Sequence, residues 1–179
     1  MKLTQKQAGV LSRIIVGAIV AIAIVACGSF LNPFSLDTSL GIAGRLSLAI
    51  QYLLLPATFL VFSIGRLAKH RFFTPEDIDG GGFSDDSEQA RSLQSLLQNT
   101  VEQFCIAASI YLAWAVVMPG QTLSVIPLSA IAFSVGRVLF FTGLKGGAPS
   151  RALGFALTFY PSVAMLISML GYLFWLQIN

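Results

Sequence analysis

The stretch that most restricts what this chain can fold into runs from Arg91 to Cys105, RSLQSLLQNTVEQFC, and its last two residues open FCIAASIYLAWAVV, a run without a charge. Ser95, Gln98, Asn99 and Glu102 recur at i, i+3, i+4 and i+7, so on a helix they form one stripe. A carboxylate is therefore carried into a membrane-type segment. An acid at the centre of a membrane helix costs about 2.5–3.5 kcal/mol on insertion scales. Glu102 has to face protein or water, and it needs a partner.

Only 11% of the 179 residues are charged and 55% are hydrophobic, against about 25% charged in a soluble domain. That composition implies an all-α integral membrane protein. The length suits four or five spans at about 20 residues each. The apolar runs are continuous, without the period-two alternation of a membrane barrel. The net charge of +3 does not point to nucleic acid, because the basic residues sit at helix ends. Cys27 and Cys105 lie within apolar segments and His70 is the single histidine. No spacing among them and the carboxylates makes a metal site.

Residues 1–31 read as a basic segment (Lys2, Lys6, Arg13) followed by a first apolar run, IIVGAIVAIAIVACGSFL. This run is either an uncleaved membrane helix or a lipoprotein signal, since Ile24–Cys27 resembles a lipobox. The plain helix is preferred because the run continues past the cysteine. Residues 32–44 read as an external loop, with Asn32-Pro33, Asp37 and two glycines. Residues 45–179 read as a four-helix membrane domain. Its spans run from Arg45 to Leu67 (kinked at Pro56), over 91–117, over 122–144, and from Arg151 to Trp175 (bent at Pro161). Between the first two of these lies a loop over 68–90 with six acids and the glycines 80–82. Asp85, Asp86, Ser87 and Glu88 read as a solvated loop end, with Asp86 or Ser87 capping the next helix.

Basic residues fix an orientation. Lys2, Lys6, Arg13, the cluster Arg66, Lys69, His70 and Arg71, and Lys145 with Arg151 all fall on one side if five spans start from a cytoplasmic N-terminus. Arg45 is the exception. The brief loops and the lipobox-like cysteine lean towards a bacterial inner membrane.

Arg137, inside the fourth span, is the natural partner for Glu102, since neither charge can be left alone there. Composition alone leaves open whether such a pair fixes helix packing or builds a site.

The segments QNTVEQF (Gln98–Phe104) and GRVLFFTGLKGGAPSRALGF (Gly136–Phe155), with the loop start FFTPEDI, resemble the MAPEG family, the membrane-associated proteins in eicosanoid and glutathione metabolism, and its microsomal glutathione transferases in particular. The resemblance covers about residues 45–177 and leaves the first span as an N-terminal addition. It implies a homotrimer holding glutathione as co-substrate between subunits, near the cytoplasmic face, and acting on small lipophilic substrates from the membrane lipid. Carried over, it makes Gln98, Asn99, Glu102 and Arg137 ligand-binding, Arg151 a catalytic thiolate stabiliser, and Lys69 and Arg71 more loosely ligand-binding. Arginines suit carboxylates by bidentate pairing, and a cation near sulfur raises the thiolate fraction. Ser95 stands where the family often has arginine, and Phe140 and Leu144 where tyrosines are common. Gln98, Arg91 or Lys145 would have to compensate. The alternative is a non-catalytic member that binds a lipid or another anionic ligand, or serves as an interaction partner.

Overall fold

A computed structural model describes residues 3–80 and 86–178, except the side chain of Lys145. Lys2, Asp85 and the end of the glycine run lie outside the described residues. Five helices are long and apolar enough to cross a membrane. They are α1 (Gln5–Phe30), α2 (Ile42–Phe73), α3 (Glu88–Val117), α4 (Val125–Thr142) and α5 (Ala148–Ile178).

Each end has a local cause. Thr4 opens α1 with a reciprocal capping box to Gln7. Ser87 caps α3 by accepting from the Ala90 amide at 3.1 Å, one of the two caps expected. α2 runs on to Phe73 and α3 begins at Glu88, so the loop is shorter than 68–90. The basic residues after Leu67 are good helix formers and continue α2 into the aqueous zone.

A clamp not foreseen from the sequence closes that loop. Asp77 is fully buried. Its Oδ1 accepts from the Ser87 amide at 2.8 Å, and its Oδ2 accepts from the Ser87 hydroxyl at 2.7 Å and faces His70 Nε2 at 2.8 Å. At the opposite end of the bundle, Arg45 donates to the Leu40 carbonyl at 2.8 Å and the Met118 carbonyl at 3.0 Å. Its charge staples two loops, which explains its presence on a side that otherwise has no basic residue among those described.

Small residues set the closest approaches. A Cβ on Gly136 would lie 2.7 Å from the Gly154 carbonyl oxygen, so α4 and α5 cross nearly backbone to backbone there. On α1, Gly17 meets Ala156 of α5 and Gly28 meets Val125 of α4. The core lies around Tyr111, Trp114, Ile126, Phe133 and Met165. Large apolar side chains on α1, α2 and α5, such as Ile19, Leu54, Val61 and Leu170, face outward, as lipid contact requires.

Candidate functional site

The Gly136–Gly154 crossing brings the next residue of α4, Arg137, against α5 and α3. Arg137 is fully buried. Its Nη1 donates to Asn99 Oδ1 at 2.9 Å and its Nη2 to Thr158 Oγ1 at 2.8 Å. Its guanidinium carbon stands 4.6 Å from the centre of the Phe140 ring, a cation–π contact. Its Nε has no hydrogen-bond partner.

The expected Glu102–Arg137 pair does not form. The ion pairs among the described residues are His70–Asp77 and Arg71–Asp86. Helical geometry gives the reason. α3 buries Leu93, Leu96, Thr100, Gln103 and Ala107, alternating steps of three and four that form the bundle-facing seam. Glu102 lies off that seam, is exposed in the protomer, and accepts instead from Gln98 Nε2 at 2.9 Å. Instead Asn99, at the seam's edge, and more weakly Thr100, 3.5 Å from Nη1, reach Arg137.

That contact orients Asn99. Guanidinium can only donate, so the amide oxygen must face Arg137, and the amide nitrogen is left for another acceptor. Asn99 in turn lines a cavity of about 380 Å³ with Ser95, Arg151, Val10, Ile14 and Phe140 among its walls. Next to it lies a polar groove of about 370 Å³, lined by Glu88, Arg91, Ser92, Ser95, Leu144 and Arg151. Ser95 and Arg151 border both spaces. Arg151 is half-buried, and its guanidinium carbon stands 5.9 Å from the Phe140 ring centre. Among the described residues it has neither a carboxylate nor a hydrogen-bond acceptor.

Asn99 and Arg151 therefore share a cavity, with Arg137 behind Asn99. Gln98 and Glu102 sit on the outward face of α3. Lys69 is exposed, and Arg71 points towards Asp86, 3.9 Å away; neither lines the two spaces. Glu88 and Arg91 enter the groove although the sequence marked them only as a first-turn acid and a compensating base. The signal was present: Glu88, Arg91 and Ser92 extend the polar stripe of α3 from Ser95 about two turns further at the same spacing.

Comparison with known proteins adds one match. The family model described as MAPEG family matches residues 45–171. A search of curated proteins and a search of solved structures each returned no match.

Proposed function

Because the chain belongs to the MAPEG family, and is thus an integral membrane protein of a family tied to glutathione and eicosanoid metabolism, we propose that it binds glutathione and conjugates it to lipophilic electrophiles. The observation that carries this reading is Arg151, a half-buried cation without an anionic partner among the described residues, at the junction of a polar groove and a mostly apolar cavity.

The groove's side chains suit the polar groups of glutathione. Glutathione brings two carboxylates, an ammonium and a thiol. The groove offers the cations Arg91 and Arg151, the carboxylate of Glu88, and the hydroxyls of Ser92 and Ser95. Arginine pairs bidentately with carboxylates. A cation beside the sulfur favours thiolate over thiol. In the conjugation step the thiol releases its proton to solvent. The thiolate sulfur attacks the electrophilic carbon, an S–C bond forms, and the leaving group departs with its bonding pair. In the reductive variant two glutathiones become the disulfide, while a hydroperoxide leaves as alcohol and water.

The proposed assembly is a homotrimer with the ligand between subunits. An exposed carboxylate within a membrane span is costly against lipid, and Glu102 with Gln98 would meet ligand only across a subunit boundary. The proposed orientation places Lys6, Arg13 and the Arg66–Arg71 cluster on the cytoplasmic side of a bacterial inner membrane.

A second reading, a non-catalytic member binding a lipid or another anion, draws on Phe140. Its ring stacks on two guanidiniums where a tyrosine would add a hydroxyl. Calorimetry with glutathione on the purified protein in detergent separates the two. Millimolar or tighter binding that Arg151→Ala abolishes is the expected result. No binding at tens of millimolar by a folded oligomer would sink the glutathione reading in favour of the second.

A further inference from the structure

The helix α1 lies outside the matched segment 45–171, yet it walls the cavity beside Arg151. We propose that α1 supplies the specificity wall for the lipophilic co-substrate, with Val10 and Ile14 as the selecting residues. This rests on the glutathione reading for the groove and goes beyond it in assigning the second space.

The argument starts from the packing seam of α1. Val10, Ile14, Gly17, Ala21, Ile24 and Gly28 alternate in steps of four and three and so lie on one face. The later four are buried, and the glycines close directly onto Ala156 and Val125. At Val10 and Ile14 the same seam faces a cavity of about 380 Å³ and both residues are only half-buried. Beyond it α1 still runs close to α5, since a Cβ added on Gly9 would lie 3.6 Å from Pro149. The helix is therefore anchored by its tight glycine contacts on one side of the open stretch and stays near α5 on the other, which keeps the wall beside the cavity.

The lining matches an apolar occupant. Val10, Ile14, Phe140, Ala148, Ala152 and Phe155 supply apolar surface, and Ser95, Asn99 and Arg151 supply the polar edge shared with or facing the groove. An alkyl or aryl body can lie along α1 while its reactive carbon meets the thiolate at Arg151. Leu11 and Ile15, beside the wall residues, are exposed apolar side chains, so this part of α1 also borders the bilayer from which such a molecule arrives.

The test uses the full-length protein in nanodiscs and an alkyl chain bearing an aryl azide as photolabel, with labelled peptides mapped by mass spectrometry. Labelling should fall on α1 and the first turns of α5 and be competed by unlabelled alkane. Val10→Trp with Ile14→Trp fills the space and should cut that labelling about tenfold, while glutathione binding by calorimetry stays within about twofold of the parent. Ile14→Val, which keeps the fold and enlarges the space, should retain labelling. Labelling that is unaffected by the tryptophans, or absent from α1, overturns the proposal. Loss of glutathione binding in the parent would count against the groove reading alone, since the photolabel reports the cavity independently.

Discussion

Arg137 holds Asn99 by its amide oxygen, Nη1 to Oδ1 at 2.9 Å, with no carboxylate among the described residues to balance its charge. The same guanidinium serves Thr158, so one side chain ties α3, α4 and α5 at a single level. Removing it leaves the buried Thr158 and the half-buried Asn99 without that donor, at about 1–3 kcal/mol for the buried one, besides a cavity. Arg137→Ala is expected to lower stability by about 3 kcal/mol or more, and Asn99→Ala by about 1–2 kcal/mol. Unfolding in detergent measures both. Equal stability of Arg137→Ala and the parent would mean that the tie is not structural.

Arg151 should behave oppositely. It is half-buried and has no ion-pair partner among the described residues, so Arg151→Ala should leave the unfolding midpoint nearly unchanged. Losing one charged contact of about 1.5–3 kcal/mol, to the glutathione sulfur, should weaken glutathione binding by about ten- to a hundredfold. Arg151→Lys, a point charge without the fork, should recover part of it. Glu88→Gln should cost about tenfold through the ammonium. Calorimetry across the three variants checks the order.

How much of this was readable beforehand depended on whether a residue type carried its own constraint. The membrane class and the five helices follow from continuous apolar runs, because lipid leaves helical backbone as the simplest way to satisfy every amide. Arg137 was legible as a buried charge, since a guanidinium in the middle of a span must turn away from lipid and into the bundle. Its partner was not. Glu102 and Asn99 share a stripe, and choosing between them needs the angular position of the α3 seam to within one residue. Arg45 looked like an exception to charge topology because the carbonyls it serves belong to loops that pattern alone cannot place. The Asp77 clamp was hidden for the same reason: His70, Asp77 and Ser87 are brought together by a chain reversal.

Glu102 lies outside the protomer's core and bonds only Gln98. Glu102→Gln should therefore leave the unfolding of the isolated protomer unchanged. In the assembled protein it should weaken glutathione binding by about tenfold, the worth of about 1.4 kcal/mol at a charged contact. Native mass spectrometry in parallel with calorimetry tells the two states apart. Unchanged affinity in an intact trimer would remove Glu102 from the site.

The loop clamp gives a pH dependence. The Asp77 carboxyl is held below the usual carboxylate range, chiefly by the Ser87 amide N–H, then by the Ser87 hydroxyl, with His70 adding to both. A depressed carboxyl contributes stability above its unfolded value of about 3.9 and loses it as pH falls through the lower folded value. Hydrogen-exchange protection at the start of α3, relative to the intrinsic rate at each pH, should therefore hold steady from neutral pH to about 5 and fall only below about 4. Asp77→Asn should show the lowered protection at every pH. A transition centred near neutrality would mean that the Asp77 carboxyl does not govern the loop.

The α4–α5 crossing can be tested by adding a single methyl group. A Cβ on Gly154 would lie 2.6 Å from the Gly136 carbonyl oxygen and 2.8 Å from the Phe140 Cα, whereas one on Gly171, also in α5, meets nothing within 4 Å. Real Cβ atoms do not approach backbone so closely, so α5 must move away from α4, at about 1–3 kcal/mol for an overpacked contact. Gly171→Ala meets no such barrier and should gain up to about 1 kcal/mol from helix propensity. The displacement in Gly154→Ala also pulls Thr158 from Arg137 and Arg151 from Phe140, so ligand affinity should fall together with stability. Thermal unfolding and calorimetry on the pair of variants check both. If Gly154→Ala loses stability but keeps full affinity, the site does not depend on how closely these helices cross.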